Sequence, residues 1–425
     1  MKKTYIRLLA LCLCLFTLAA SLLSCGTSGK TLASIGKQKI SVNMYQLMLS
    51  RYRGTVEYSY PEAAQNDFWD IVIDSSGTTY NDYFTATILD NVKTYACAMY
   101  VFEEIEKLKL PDGTLDVIDE EMRKMVDELA DGSKTMFNTQ LSQYGVNYQM
   151  LRDAYIMEAK VAYLQEQLYG TDGALLSDVV KEEYYQKNYT RFKHVFLFTY
   201  SAVYEQDANG DDIYYAGNDD SVAYDKVNGT PKAGADGKNI TDENGDTVYY
   251  TADGRIAYDK KNGLRAYVYD ENGYVKTRTY TADEIAEVEA KANEILAMAK
   301  SGEDFDELVE IYGEDPGFEE YTSGYYLTDA SEYEIKEVKD ALPTMQEGEI
   351  RLIRSDYGFH VLKKYELNEG GYKEATNADF FTDFNEKLMT EMFLNLVNQH
   401  ADKVELDEEL ASSIEIKDVA ANYYY

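Results

Sequence analysis

The sequence predicts an α+β protein in which helices dominate and one small antiparallel sheet lies among them. Three observations favour this class. Apolar residues recur at helical spacing through most of the first half and again near the C-terminus. Three helical runs precede two strand-like segments between residues 282 and 367. Between them and the first half, residues 205–279 are rich in Asn-Gly and Asp-Gly pairs, which are typical of β-hairpins.

Chain length and net charge limit the number of domains and the kinds of partner to expect. A chain of 425 residues is too long for one ordinary core, so more than one domain is expected. The net charge is −35, from 41 Lys and Arg against 76 Asp and Glu. Because an acidic chain gains nothing from phosphate backbones, nucleic acid is not an expected partner. The acidity is typical of a protein that stays soluble outside a cell.

The N-terminus has the pattern of a secretion signal. Lys2, Lys3 and Arg7 precede the apolar run LLALCLCLFTLAASLL, which predicts a signal peptide over residues 1–24 rather than a spanning helix. The following LLSCG resembles a bacterial lipobox, which implies that Cys25 carries a lipid and that residues 25–30 are a tether. We therefore expect an extracytoplasmic protein, lipid-anchored to the outer face of the bacterial cell membrane. A plain secretory signal is the alternative.

Helices are predicted through most of the first half. TLASIGKQKI predicts a strand with a Gly-Lys turn, and Ser41 is a candidate cap for the next helix. A long helix is expected from about Tyr80 until Pro111. Further helices are predicted at residues 115–130, 134–144, 147–168 and 176–188. Beyond Leu367, the sequence predicts one long helix and a short strand.

Residues 205–279 contain an internal repeat. DANGDDIYY recurs as DENGDTVYY, and SVAYDKVNG recurs as RIAYDKKNG, each about 35 residues further on. Asn-Gly flanked by β-formers predicts type I′ hairpins, so we expect a tyrosine-rich unit of two hairpin repeats. Asp242, Asn244, Asp246 and Asp253 echo a calcium-loop spacing, but Thr247 stands where that loop has glycine. Turn formation is therefore the first interpretation of these aspartates. The tyrosines are a candidate contact surface for unfolded chains or wall polymer.

Three segments of the chain carry a family resemblance. FDELVEIYGED, EGEIRLIRSDYGFHVLKKYEL and the distant FKHVFLF together resemble the parvulin-type peptidyl-prolyl isomerases. The resemblance implies a parvulin-like domain from residues 191–204 and 280–367, interrupted by residues 205–279. It places His194 and His360 at the family's paired histidines, Asp315 at the catalytic Cys or Asp, and Ser355 in their hydrogen-bond network. A buried pair in which each histidine only satisfies the other is the alternative.

The proline pocket departs from the family pattern. Counted back from Gly348, the pocket Met and Phe of the family fall on Glu334 and Val338, and SGYYLT replaces a Gly-Asp-Leu-Gly run. A carboxylate at the mouth of an apolar pocket is costly unless it points to water. The candidates to rebuild the apolar wall are Ile335, Tyr326, Leu342 and Phe359. We expect isomerase activity that is weakened, changed in preference or lost.

Two segments of the first half resemble extracytoplasmic foldases of the PrsA and SurA type, IGKQKISVNMYQLML and YGVNYQMLRDAYIMEAKVAYLQEQL. The resemblance implies a discontinuous helical chaperone domain from residues 31–190 and 368–425. The implied function is an anchored foldase that isomerises X-Pro bonds in secreted polypeptides and shields them. The alternative is a non-catalytic holdase with a degenerate parvulin domain. The expected partners are unfolded polypeptides and the membrane, with no cofactor and no metal.

Overall fold

The computed structural model of the protein describes residues 29–425. The predicted signal peptide and Cys25 lie outside the described residues. The chain divides into two compact units: the first extends to Lys181 and resumes over Asp383–Tyr425, and the second is Glu182–Thr382. The domain boundaries expected at 190 and 368 lie 9 residues after the first of these boundaries and 15 residues before the second. No helix in the described part of the chain is both long enough and apolar enough to cross a membrane.

The first unit begins with a hairpin and continues as helices. Strand β1 (Thr31–Ile35) pairs antiparallel with β2 (Gln38–Ser41), and Ser41 accepts the backbone N–H of Met44, which confirms the predicted helix cap. The helices that follow are α1 (Val42–Ser59), α2 (Asn66–Trp69), α3 (Tyr80–Tyr100), α4 (Thr114–Ala130), α5 (Lys134–Ser142), α6 (Tyr148–Tyr169) and α7 (Asp178–Asn188). The four helices predicted between residues 115 and 188 are therefore confirmed, and α7 crosses the unit boundary.

The helix predicted to end at Pro111 is shorter than expected. Helix α3 passes into a π-helical turn at Val101–Ile105, and Lys107 has a φ of 52°. A residue with positive φ cannot continue a right-handed helix, so the chain leaves the helix axis before the proline. The proline is therefore not the cause of the helix end.

The second unit contains a main antiparallel sheet of four strands and three smaller sheets of two strands. Its strands are β3 (Thr190–Phe198), β4 (Tyr200–Ala202), β5 (Tyr214–Tyr215), β6 (Thr230–Pro231), β7 (Tyr249–Tyr250), β8 (Leu264–Arg265), β9 (Thr277–Thr279), β10 (Tyr325–Leu327), β11 (Ile350–Arg354) and β12 (Gly358–Tyr365). Its helices are α8 (Ala282–Ser301), α9 (Phe305–Tyr312) and α10 (Lys336–Ala341). The main sheet has the order β10-β3-β12-β11, so two strands 160 residues apart along the chain form its centre.

The two faces of this sheet pack differently. Val195 and Val361 lie on the face covered by α8 and α9, in a cluster of apolar side chains. Phe192 and Leu362 lie on the opposite face, beside residues of α10. Side chains alternate along a strand, and the register pairs His194 with Leu362. The histidine therefore lies on the α10 face.

The inserted residues form a pseudo-symmetric pair of repeats. Pairing of β5 with β8 is matched by pairing of β7 with β6, where β7 lies 35 residues after β5 and β6 lies 34 residues before β8. Asp225 N–H donates to the carbonyl of Ala257 at 3.0 Å, and Asp259 N–H donates to the carbonyl of Ala223 at 2.9 Å. Each repeat therefore completes the hydrogen bonding of the other, which the sequence repeat alone does not reveal.

Aspartate side chains shape the turns of this insertion. Oδ1 of Asp242 accepts the backbone N–H groups of Asn244 and Asp246, each at 2.9 Å, and Asp207 makes the same pair of bonds in the first repeat. These are Asx turns, in which the carboxylate mimics a backbone carbonyl. The geometry agrees with turn formation as the first interpretation of the calcium-like spacing. The turns are not of the predicted type I′, because no asparagine of the Asn-Gly pairs in the insertion has a positive φ.

The chain returns to the first unit through a broken helix. Instead of one long helix from Ala378, a 3₁₀ segment at Ala375–Phe381 precedes α11 (Phe384–Asn398). Two neighbouring rings explain the break, because Phe380 packs on Tyr321 while Phe381 packs on Tyr189. Strand β13 (Glu405–Leu406) then pairs with β1, which confirms the predicted short strand, and α12 (Glu408–Ala411) follows.

Candidate active site

Two histidine side chains meet inside the main sheet. His194 lies on β3 and His360 on β12, at diagonal positions of neighbouring antiparallel strands. Their Nδ1 atoms are 3.2 Å apart, which is within hydrogen-bond distance, although 166 positions separate them in the sequence. Both residues are 0% exposed. The pair is therefore part of the protein interior rather than its surface.

Asp315 lies at the rim of the histidine pair. It caps the 3₁₀ turn Pro316–Glu319, where its Oδ1 accepts the backbone N–H of Gly317 at 2.9 Å. Its Oδ2 lies 2.9 Å from Nε2 of His194 and accepts the hydroxyl of Tyr325, also at 2.9 Å. Its side chain is 15% exposed, against 0% for His194. Of the two, the carboxylate is the group that an outside molecule reaches.

The loop that carries Asp315 is tied to strand β3 by the preceding residue. The backbone N–H of Glu314 donates to the carbonyl of Phe196 at 2.9 Å. In return, Oε2 of Glu314 accepts the backbone N–H of Phe198 at 2.8 Å. These two bonds fix the loop to the strand that bears His194, so Asp315 and His194 are held at fixed positions relative to each other.

Ser355 extends the network at its other end. It follows β11 at the corner that leads into β12, and its Oγ lies 2.8 Å from Nε2 of His360. The same oxygen accepts the backbone N–H of Tyr357 at 3.2 Å. Ser355 is buried. The four predicted catalytic residues therefore form one continuous hydrogen-bonded series.

The directions of these hydrogen bonds fix both histidine tautomers. An ionised Asp315 only accepts, so His194 carries its proton on Nε2 and leaves Nδ1 as an acceptor. His360 must then donate from Nδ1, and its Nε2 accepts the hydroxyl hydrogen of Ser355. Every member is satisfied when both rings are neutral and the aspartate is charged. A proton added to either ring would change which atoms donate and which accept along this series.

The electrostatics of the site agree with those protonation states. Burial, followed by repulsion from His194, lowers the pKa of His360 to about 3. Burial raises the pKa of Asp315, but hydrogen bonds from His194, Gly317 and Tyr325 outweigh it, and the resulting pKa lies below the usual 3.8. The site therefore holds a neutral His360 beside an ionised Asp315 at neutral pH. Within residues 29–425, no group of three or more His, Cys, Asp or Glu side chains is arranged to hold a metal ion.

Comparison with known proteins identifies the domain that contains this network. A family model described as the PPIC-type PPIASE domain matches residues 270–367. Asp315, Ser355 and His360 lie within the matched residues, whereas His194 precedes them. This segment is a PPIC-type peptidyl-prolyl isomerase domain. The isomerase domain shares its sheet with β3, which reaches it from the other side of the insertion.

Solved structures of foldases are similar to this chain at low identity. PrsA from Bacillus subtilis is 16% identical over 78% of this chain and 90% of that chain, with a TM-score of 0.20. PrsA from Bacillus cereus is 17% identical over 78% and 90%, with a TM-score of 0.24. Foldase protein PrsA from Streptococcus pneumoniae is 13% identical over 80% and 96%, with a TM-score of 0.19. No curated protein matches. The identification of the isomerase domain comes from the family match alone.

Two of the predicted wall residues lie on the wrong face of the isomerase sheet. Tyr326 pairs with Arg191 and packs against Tyr185 and Phe381, on the face opposite His194. Phe359 belongs to the cluster beneath α8 and α9. Strand alternation explains both errors, because a shift of one residue moves a side chain to the other face. We therefore exclude Tyr326 and Phe359 from the surface beside the histidine pair.

The other predicted wall residues lie on the histidine face or at its rim. Val338 is 0% exposed and packs within the α10 cluster with Leu342, while Ile335 is half-buried beside them. Glu334 is exposed. The helix predicted over SEYEIKEVKDAL forms only at Lys336–Ala341, so Glu334 precedes it. The Glu334 carboxylate therefore does not bear the desolvation cost that a position inside an apolar pocket would impose.

A groove of about 350 Å³ lies away from the imidazoles, at the far end of β10. It is lined by Thr190, Leu327, Thr328, Asp329, Lys339, Asp340, Leu342 and Pro343. Thr190 begins β3, whereas His194 lies four residues further along that strand. The groove is therefore separate from the surface beside Asp315.

Aromatic residues around the network were not among the predicted site residues. Phe196 stacks on His360 with ring centroids 4.1 Å apart, and Phe318 lies 5.6 Å from the His194 ring. Tyr325 contacts Asp315 directly. Because side chains alternate along a strand, FKHVFLF places Phe196 on the same face as His194, and Phe196 could have been predicted from the sequence. Tyr325 could not have been predicted in this way, because its position depends on the pairing of β10 with β3, which lie far apart in the sequence.

Proposed function

We propose that the chain is an extracytoplasmic, membrane-anchored foldase that catalyses cis/trans isomerisation of X-Pro bonds in secreted polypeptides. The observation that carries the proposal is the continuous series from Asp315 through His194 and His360 to Ser355. It ends in an ionised carboxylate at the surface of a PPIC-type domain. A histidine pair that only satisfied itself would not require that carboxylate.

The reaction needs selective binding rather than bond breaking. Rotation about an X-Pro bond faces a barrier of roughly 20 kcal/mol, because the planar amide is stabilised by resonance. A catalyst must bind the twisted amide better than the planar one. In the planar form the carbonyl oxygen carries more negative charge than in the twisted form. A fixed carboxylate near that oxygen therefore disfavours the planar form more strongly.

Each residue of the network has a role in that scheme. Asp315 faces the carbonyl of the client, and His194 holds its orientation through Nε2. His360 and Ser355 are positioning residues, because they hold the ring of His194 through its Nδ1 atom without reaching the surface. The rings of Phe196 and Phe318 flank the pair and keep water from it, which strengthens the field of the carboxylate.

The proposal includes the helical segments and the N-terminus. Residues 31–190 and 368–425 form a helical chaperone domain that shields clients, and Cys25 anchors the protein by a lipid. The support for the anchor is the LLSCG sequence after the apolar run. Growth with a labelled fatty acid tests it: a Cys25→Ser variant is expected to lose the label, and equal labelling of both proteins would contradict the anchor.

The isomerase activity is tested by proline-limited refolding of a client with the purified ectodomain. Asp315→Ala and His360→Ala are expected to lose the acceleration by at least tenfold, because one removes the charge and the other leaves His194 unsatisfied. His400→Ala is the matched control, since the third histidine lies against Tyr100 and Lys403 in the first unit. Equal rates for wild type and Asp315→Ala would reject the proposal.

A non-catalytic holdase is the second candidate. The altered proline pocket favours this candidate, because Val338 is buried in the domain core and cannot contact the proline ring of a client. This candidate predicts that the ectodomain suppresses client aggregation without accelerating proline-limited refolding. It also predicts that Asp315→Ala leaves the suppression unchanged.

A further inference from the structure

Tyr325 occupies a central place in the site that the proposed roles leave unassigned. It lies on the edge strand β10, opposite Phe192 in the sheet register, and its ring stacks on Phe192 at 5.5 Å. Phe318 and Phe380 contact the same ring at 5.1 and 6.0 Å. These aromatic neighbours fix the ring, and its hydroxyl points to Oδ2 of Asp315 at 2.9 Å.

The space around that hydroxyl is closed by Gly317. A Cβ atom added to Gly317 would lie 2.0 Å from the hydroxyl oxygen of Tyr325 and 3.2 Å from Oδ1 of Asp315. No side chain fits there while the phenol remains in place. The backbone N–H of Gly317, the phenol and Nε2 of His194 thus surround the carboxylate from three directions.

We propose that Tyr325 is a positioning residue of the isomerase site, whose hydroxyl holds the Asp315 carboxylate in register with His194. The inference rests on the proposed function and adds a residue to it. A carboxylate on a turn can rotate about its own side-chain bonds, and a second donor on Oδ2 removes that freedom. Burial and the charge of Asp315 raise the pKa of Tyr325, so the phenol stays a donor at neutral pH.

A neighbouring tyrosine provides the matched control. Tyr333 lies in the same aromatic cluster, with its ring 6.1 Å from Tyr325 and 5.6 Å from Phe192. Burial also raises its pKa. Its hydroxyl makes no hydrogen bond to Asp315. Removing either hydroxyl changes the cluster in a similar way, but only one change removes a donor from the carboxylate.

The first test is Tyr325→Phe, with Tyr333→Phe as control. The pKa of Asp315 is measured by ¹³C NMR of the labelled ectodomain, and kcat/KM is measured against pH. Loss of a hydrogen bond to a charged group raises a carboxyl pKa by about one unit. We expect that rise, and an equal upward shift of the acid limb of activity, in Tyr325→Phe alone. An unchanged Asp315 pKa in Tyr325→Phe would overturn the proposal.

The second test is a double-mutant cycle with Gly317→Ala. In the wild type, the added methyl group must displace the phenol, so we expect a fall in kcat/KM of about tenfold. In Tyr325→Phe the colliding oxygen is absent and the nearest ring carbon is 3.2 Å away, so the same substitution should cost little. Additive effects would contradict the proposal.

The two tests separate this inference from the function it refines. If the wild type does not accelerate proline-limited refolding, the proposed isomerase function fails. The Asp315 pKa in Tyr325→Phe still decides whether the phenol holds the carboxylate, because that measurement requires no turnover.

Discussion

The four side chains at the centre of the site act as one unit because each hydrogen bond determines the next. The charge on Asp315 selects the Nε2–H form of His194, and this form selects the Nδ1–H form of His360. Loss of Ser355 would leave Nε2 of His360 without its donor in a buried site. In the proposed mechanism the histidines therefore hold the orientation of the carboxylate and exchange no protons with the client.

This arrangement predicts a pH dependence of stability. The pKa of His360 is about 3 in the folded protein and about 6.5 in the unfolded chain. Between these values the unfolded chain binds a proton that the folded protein excludes, so the free energy of unfolding falls as pH falls. The expected slope is about 1.4 kcal/mol per pH unit. The lowered pKa of Asp315 acts in the same direction, since its contribution is present above the unfolded value and is lost as pH falls through the folded value.

Hydrogen exchange of the β3 and β12 amides at pH 7, 5 and 4 measures this slope locally. His360→Gln keeps a neutral polar side chain and removes the titrating group, so the opening free energies of that variant should vary less over the same range. An equally steep slope in His360→Gln would show that other groups cause the acid sensitivity.

Sequence reasoning reached some of these residues and not others for a physical reason. His194, Asp315, Ser355 and His360 stand at fixed offsets within recognisable motifs, and the structure brings all four together. Tyr325 lies in SGYYLT, where no local pattern decides which tyrosine faces the site. Only the pairing of Tyr325 with Phe192 decides it, and that pairing joins residues 133 positions apart.

At the scale of elements, regular segments were predicted better than their ends. The amphipathic helix α8 ends at Gly302 with a φ of 101°, as expected for a left-handed cap. The helices predicted before Pro111 and after Leu367 were too long. In the second case, Phe380 and Phe381 pack on different tyrosines, and tertiary contacts override a helical pattern.

The pseudo-symmetric insertion predicts a sensitive glycine. A Cβ added to Gly263 would lie 2.7 Å from the carbonyl oxygen of Asp259, 2.8 Å from Cβ of Tyr214 and 2.9 Å from Cβ of Ala223. Two of those atoms belong to the other repeat. Gly263→Ala should therefore force the repeats apart and cost about 1–3 kcal/mol of local stability.

Exchange of the Asp259 amide, which donates to the carbonyl of Ala223, reports that loss. Gly234→Ala is the control, because the nearest atom to an added Cβ there is a flexible carboxylate oxygen at 3.3 Å. Equal protection of the Asp259 amide in both variants would contradict reciprocal packing of the repeats.

At the scale of the whole molecule, the insertion separates β3 from the rest of the isomerase domain without disturbing their pairing. The family match begins at residue 270, so the strand that carries His194 lies outside it. Hydrogen bonding of β4 with β9 brings the two ends of the insertion together at its base. The family match covers the C-terminal segment of the domain, whereas the first strand, which FKHVFLF predicted from the sequence, joins that segment by pairing with β12.

This geometry predicts that the hydrogen bond between His194 and His360 forms without the insertion. Val203 N–H donates to the carbonyl of Lys276 at 2.8 Å, whereas the carbonyl of Val203 and the N–H of Lys276 both bond to Val268 within the insertion. Once Val268 is removed, these two groups are free to bond to each other and complete a hydrogen-bonded pair. A two-residue Asn-Gly turn closes such a pair with the right twist. Replacing residues 204–275 by Asn-Gly should therefore leave β3 in register with β12, and the downfield imidazole N–H signals of His194 and His360 should persist. Loss of those signals, with the first unit still folded around Trp69, would show that the repeats are needed to hold the histidine pair together.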